Sequence, residues 1–419
     1  MAQAALALDR IALLTSEAVR SRWVQATVIA AIVFGIYFTS SDLYSPFNQY
    51  ERLADSMLHG RLDIPNPPDY LELARYPDGA YVINPPAPAV LLIPFVALWG
   101  MATNEVIVSI ALGAAAVGLF WVATKQLGWN PQLSAALTVL MALGTNFWWA
   151  AADGGMWMFA HVTAVFFMMC AFVEATGPKR PWLVGLLLGA AGLARLPTFL
   201  AFPFFAYLLV HGDDRRLPDI FRDKAVLLRF GLLGAGLALM FGLDLLYNYA
   251  RFGTIKDEGY YHPQYRELEA LSKGMNDYTY IPRHLRAIFW QFPALNDTFP
   301  FLHPRVEGMG LFLTTPMFIY LLGTSLSRMT FSAAVASALT LVPIVTYGTT
   351  GGTQFGYRYA LDVLPMLLVL TAAGMGYQMS RLKWGLVAIC CLIGLWGVLA
   401  FEQFHWVSCD PQVVCESLY

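Results

Sequence analysis

SSDLYSPFNQYERLAD, residues 40–55, follows without a break on the apolar run WVQATVIAAIVFGIYFT, residues 23–39. The run is just long enough to cross a bilayer. The stretch after it holds Asp42, Glu51, Asp55 and Arg52 together with two tyrosines, Tyr44 and Tyr50, and its second half turns amphipathic. Phe47, Tyr50, Leu53, Ala54, Met57 and Leu58 share one helical face in PFNQYERLADSMLHGR, the spacing of a surface helix. A span, then an aspartate at its edge, then a helix for an interface sets the reading of everything downstream.

The pattern recurs. Hydrophobic residues make up 58% of the 419 and charged residues 13%, where a soluble domain carries about 25% charged. Mean hydropathy is +0.54. Apolar runs lie at 23–40, 86–101, 105–124, 132–150, 155–175, 182–196, 197–211, 228–250, 308–326, 330–349, 357–377 and 383–402. The chain reads as an all-α polytopic membrane protein, with one transmembrane domain over 1–419 and no internal repeat. The net charge of −2 excludes nucleic acid as a partner. The 12 Trp and 20 Tyr gather at the ends of apolar runs, as interfacial rings do. Charges at Asp9, Arg10, Glu17, Arg20 and Arg22 interrupt any signal-peptide core, and the N-terminal segment reads as a short interfacial helix.

Basic loops orient the runs. Lys125, Lys179 with Arg180, the segment holding Arg215, Arg216, Arg222 and Lys224, then Arg328, and Arg381 with Lys383 are all expected on the cytoplasmic side. That leaves 86–101 beginning and ending on one face. It opens with Pro85 and Pro86 and carries Pro94, so it is expected to dip into the outer leaflet, with a full span as the alternative. About eleven full crossings result, N-terminus inside. Two long polar loops, 40–84 and 251–306, fall outside. Cys170, Cys390 and Cys391 lie in apolar runs, and Cys409 with Cys415 in a polar tail is a disulfide candidate.

Ionisable groups at membrane depth are costly and usually functional. On this topology Asp42, Asp153, Arg195, Asp244, and Arg358 with Tyr359 and Asp362, reach the extracytoplasmic end of the bundle, and His161 stands two turns below Asp153. A carboxylate there suits a general base, and a guanidinium suits a phosphate. In GGTQFGYRY, Gly351, Gly352 and Gly356 let backbone approach a ligand closely. Each group also has a plainer reading: Asp42 as a solvated loop acid, Asp153 as a turn residue, Asp244 as an arginine's partner, Arg195 and Arg358 as snorkelling side chains, and His161 as a structural histidine. His59, His262, His284 and His303 show no metal spacing.

The order of these segments resembles the GT-C superfamily of membrane glycosyltransferases, in particular bacterial relatives of the protein O-mannosyltransferase and aminoarabinose-transferase group. The resemblance rests on YERLADSMLHGRLDI…YPDGAYVINPPAPAVLLIPF, MALGTNFWWAAADGGMWMFAH, LARLPTFLAFP, YNYARFG, GMGLFLTTPMFIYLL and GGTQFGYRYALDVLPMLLVL. It implies a GT-C-like fold in the bacterial inner membrane. It implies transfer of a sugar from a polyprenyl-phosphate carrier to an extracytoplasmic lipid, glycan or protein. By the same resemblance Asp42 stands as catalytic base and Asp153 as the second acid. Arg358 and Arg195 then hold the donor phosphate, with His161, Asp244, Asp362 and Tyr359 as accessory groups. Asp42 is followed by Leu43 rather than by a second acid, and no large C-terminal soluble domain follows, so a requirement for Mg²⁺ or Mn²⁺ stays open. A transporter or flippase of a lipid-linked or small anionic solute is the competing reading, although the inverted repeats of transporters are not visible. A scaffold of an envelope complex is a third.

Overall fold

A computed structural model describes residues 21–408 apart from 214, 263–270 and 298. The disulfide candidate Cys409 and Cys415, and the expected N-terminal interfacial helix, lie outside the described residues.

The first span is α1 (Arg22–Ser40). A short loop leads to α2 (Gln49–Leu58), which buries Tyr50, Leu53 and Ala54 on one face, as its spacing predicts. A hairpin of β1 (Leu73–Tyr76) and β2 (Gly79–Val82) pairs Leu73 with Val82 and turns at Pro77 and Asp78. Then α3 (Ala87–Trp99) starts behind Pro86 and contains Pro94. Its 13 residues extend about 20 Å at 1.5 Å each, short of a hydrocarbon core of ~30 Å. It packs on α2. Tyr50, Leu53, Leu73, Val82, Leu92 and Phe159 form one apolar cluster, so the first loop folds onto the bundle rather than into a domain of its own.

The bundle continues with α4 (Glu105–Gln126), α5 (Pro131–Leu143), α6 (Phe147–Asp153), α7 (Met156–Thr176), α8 (Pro181–Gly192) and α9 (Phe202–Val210). Next come the short α10 (Leu217–Arg222) and the 29-residue α11 (Lys224–Phe252). The second long loop holds α12 (Ile281–Phe289) and a hairpin of β3 (Ala294–Leu295) and β4 (Leu302–His303). Then follow α13 (Leu311–Thr314), α14 (Arg328–Val345), α15 (Leu364–Gly374) and α16 (Arg381–Val398). In the most apolar stretches of α4 and α7, 67% and 78% of residues are buried, against 22% in α1 and 17% in α11. The first pair is therefore the centre of the bundle, and the second pair turns apolar side chains outward, as lipid-facing helices do.

Six described helices are long and apolar enough to cross a membrane, or seven if the bent pair α5–α6 counts as one span. The expected count of about eleven is not confirmed. The difference arises at prolines. Runs 197–211, 308–326 and 357–377 are each broken into 3₁₀ and α pieces, with Pro197, Pro203, Pro316 or Pro365 in a first turn. A proline has no N–H to extend the preceding ladder. The broken run from the 3₁₀ turn Arg358–Val363 through α15 still covers about 28 Å at 2.0 and 1.5 Å per residue. A multi-pass membrane protein with broken spans is the architecture observed.

Candidate active site

The breaks position the polar groups. α5 and α6 meet at 43°, and α6 ends at Asp153, capped by Gly154 at φ 57°. The Gly155 N–H donates to Asp153 Oδ1 at 3.0 Å. The loop carrying Asp42 lies against this turn. Ser41 Oγ donates to the Ala152 carbonyl at 2.6 Å, and a Cβ on Gly155 would stand 2.8 Å from Ser45 Oγ. Asp42 and Asp153 are thereby held close enough for their charges to interact. Asp42 is exposed, and its Oδ1 accepts the Tyr44 N–H at 2.9 Å. Glu402, buried near the end of the last span, lies against the Asp42 backbone and within charge range of both aspartates.

A second group forms where α8 ends and the turn Arg358–Val363 begins. Asp362 is fully buried. It accepts from His161 Nδ1 at 2.7 Å and from Arg195 Nη2 at 3.0 Å. Tyr359 stands between two guanidiniums: the Cζ of Arg195 is 5.2 Å, and that of Arg358 5.5 Å, from its ring centre, within cation–π range. Arg358 is 6% exposed. Its backbone N–H donates to Gln354 Oε1 at 3.1 Å and its Nη1 to the Gly352 carbonyl at 3.1 Å. Its Nε has no partner among the described residues. A buried charged donor in that condition is costly and is suited to an anion.

Arg195, Arg358 and Tyr359 line a cavity of about 530 Å³, within the range of roughly 300–1,000 Å³ for small-molecule sites. Glu72, Asn84, Trp157, Asp257, Tyr260 and Tyr347 share its wall. None of these six stood out in the sequence: Glu72, Asn84, Asp257 and Tyr260 lie in 40–84 and 251–306, which read only as polar loops, and Trp157 and Tyr347 lie in apolar runs. The available signal was the tyrosine content of the second loop. Trp157 Nε1 donates to Glu72 Oε2 at 3.0 Å. Burial pushes the Glu72 carboxyl up, against the opposing pull of the Trp157 bond and of Arg358. Asp257 is also raised by burial, against Arg251 and the backbone N–H groups of Tyr260 and Gly259.

The groups expected together at the extracytoplasmic end of the bundle do not all line this cavity. Arg195, Arg358 and Tyr359 wall it, and His161 and Asp362 brace Arg195 from behind. Asp42 and Asp153 are absent from the lining, and only the charge of Arg358 reaches Asp153. The reason is the Ser41–Ala152 bond, which ties the first loop to the end of α6 rather than to the 3₁₀ turn. Asp42 is therefore exposed beside the end of α6 rather than enclosed in the cavity. Asp244 also stands apart from the lining: it is buried on α11 beside Asn248, whose Nδ2 donates to it at 3.4 Å. Asn248 in turn accepts from Arg251 Nη2 at 2.6 Å, so Asp244 is linked to Arg251 through Asn248 and not by a direct ion pair. Among the described residues no group of three or more His, Cys, Asp or Glu side chains is arranged to hold a metal ion. The carboxylates near Asp42 do not fit one, and no step below uses a metal.

The whole arrangement is similar to the crystal structure of ArnT from Cupriavidus metallidurans bound to undecaprenyl phosphate. The TM-score is 0.52 at 14% identity, over 87% of this chain and 62% of that one. A second, lower similarity is to the apo crystal structure of the Archaeoglobus fulgidus oligosaccharyltransferase, with TM-score 0.46 and 10% identity over 91% and 55% of the two chains. The chain thus spans less than two thirds of the length of either. No family model and no curated protein sequence matches it. The likeness to the ArnT structure is one of fold, and it is the kind of fold that the resemblance of the sequence segments leads one to expect.

Proposed function

We propose that this chain transfers a sugar from a polyprenyl-phosphate-linked donor to an extracytoplasmic acceptor. The observation that carries the reading is the pair of guanidiniums, Arg195 and Arg358, flanking Tyr359 on the cavity wall, with the charge of Arg358 also reaching Asp153. Of these guanidiniums, Arg195 is neutralised by Asp362, and Arg358 keeps an unmatched buried donor. The similar structure of ArnT is bound to undecaprenyl phosphate, a ligand whose phosphate suits this pair and whose tail suits a bilayer.

In this reaction the donor's phosphate lies at Arg358 and Arg195, and the acceptor hydroxyl or amine approaches past Asp42. The acceptor atom bonds to the anomeric carbon as the bond from that carbon to the phosphate oxygen breaks. The electron pair leaves with the phosphate, whose growing charge the guanidiniums stabilise. The acceptor's proton passes to Asp42, whose loop the Ser41–Ala152 bond holds beside Asp153, the second acid. The exposure of Asp42 suits an acceptor that arrives from the aqueous side. The site would be extracytoplasmic, in the inner membrane.

The test is transfer by the purified full chain, with a polyprenyl-phosphate-linked sugar and a panel of acceptors. Asp42→Asn is expected to lower turnover by about 10²–10⁴-fold, the contribution of a general base, with donor binding retained. Arg358→Ala is expected to weaken donor binding at least about tenfold, the loss of a charge-assisted bond. Full turnover by the Asp42→Asn protein removes Asp42 from the mechanism. Movement of intact lipid across the bilayer with no sugar transferred to any acceptor replaces the enzyme with a flippase.

A further inference from the structure

The cavity lining divides chemically into a cationic part and an acceptor-rich part, and the proposed reaction uses only the first. The second consists of Glu72, Asn84, Asp257 and Tyr260. Trp157 occupies Glu72 Oε2, and among the described residues no donor meets Oε1. Asn84 Nδ2 donates to the Tyr260 hydroxyl at 3.3 Å, whereas Asn84 Oδ1, 4% exposed as a residue, has no partner among the described residues. Thr353 Oγ1, also in the lining, is in the same condition. Asp257 Oδ1 accepts a long 3.4 Å bond from the Tyr260 N–H, and the Gly259 N–H also faces this carboxylate.

Buried acceptors without donors are costly, and a ligand that supplies hydroxyl donors relieves the cost. Trp157 adds a fixed aromatic surface. Its ring centre is 4.8 Å from that of Phe47, and its N–H is committed to Glu72, so neither the ring nor the carboxylate is free to turn away.

We propose that Glu72, oriented by Trp157, is the residue that selects the glycosyl unit of the donor. It rests on the transfer reading above. The free Glu72 oxygen accepts from the sugar's hydroxyls, and Asn84 and Asp257 accept from others. Two carboxylates in one wall reject a sugar that is itself anionic. The unit that fits is an uncharged, polyhydroxylated monosaccharide attached to its phosphate.

Binding of the full chain in detergent is measured for undecaprenyl phosphate and for its glucosyl, mannosyl and glucuronyl derivatives. The wild type is expected to bind at least one of the neutral glycosyl lipids about tenfold more tightly than the bare carrier, as one charge-assisted hydrogen bond provides. It is expected to bind the glucuronyl lipid no more tightly than the carrier. Glu72→Gln loses the gain and binds the bare carrier at least as well, which shows that the variant is folded. Trp157→Phe keeps the ring, loses the bond to Oε2, and falls between the two. If the wild type binds all four lipids alike, or Glu72→Gln weakens bare and glycosylated carrier equally, the subsite is overturned and the transfer reading stands. If the wild type binds none of the four, both are overturned.

Discussion

At Glu51 the burial of a single carboxylate sets a pH dependence. The side chain is 5% exposed and accepts the backbone N–H of Glu105 at 2.7 Å, at the start of α4. A carboxylate at a helix N-terminus is favoured, yet burial prevails and raises the group from 4.5 to about 7. The folded state thus holds its proton more tightly than the unfolded chain does. The corresponding stability is fully present below about pH 4.5 and is lost as pH rises through about 7, with a size of up to about 3 kcal/mol at 1.36 kcal/mol per unit. Glu51→Gln keeps an acceptor for the Glu105 N–H and removes the titration. Thermal unfolding in detergent is expected to show the variant gaining on the wild type between pH 4.5 and 8, and parallel curves would contradict this. A second residue illustrates what a motif does not say. The glycines of GGTQFGYRY promise a close backbone approach, and Gly351 provides one at φ 92°. The group approached is the chain's own Arg358, whose Nε would be 2.9 Å from an added Cβ.

The pairing of α8 with α11 shows the same limit among helices. An ideal Cβ on Gly185 would be 2.2 Å from the Leu233 carbonyl, and one on Gly236 would be 2.6 Å from that of Trp182. The two backbones touch, as small residues allow in membranes. Gly185→Val is expected to force them apart and to cost about 1–3 kcal/mol. Gly234→Ala, with nothing within 4 Å of the added carbon, is expected to leave the unfolding midpoint unchanged or slightly raised. Equal midpoints for the two variants would mean that this contact does not hold the pair together. The consequence reaches the cavity, because Arg251 at the end of α11 donates from Nη1 to the Val82 carbonyl, two residues before Asn84. Hydropathy located these helices, since apolar length is a local property. The partner faces were not legible, since α8 and α11 are apolar all round and their glycines become informative only when the helices touch.

Across the whole molecule, Asp362 joins segments separated by 167 and 201 positions, through Arg195 and His161. Buried ion pairs hold when complete and are costly when broken. Asp362→Asn leaves Arg195 buried with its charge uncompensated and is expected to cost about 3–5 kcal/mol. Replacing both partners, Arg195→Met with Asp362→Leu, is expected to recover much of that loss, as read by unfolding in detergent. An Asp362→Asn protein as stable as the wild type would show that the triad carries no structural load. Composition and apolar period were enough to indicate a polytopic helical membrane protein, because burial in lipid is written residue by residue, and segment order supplied the resemblance that the fold's likeness to the ArnT structure accompanies. They were also enough to single out Arg195, Arg358, Tyr359 and Asp362, because charge in apolar surroundings is conspicuous. Only the tertiary structure decided that the prolines break several spans, that Asp42 is exposed beside Asp153 rather than inside the arginine cavity, and that Glu72 and Trp157 complete its wall. Those outcomes depend on which distant segments meet, and a contact between residues far apart in the chain leaves no periodicity in either of them.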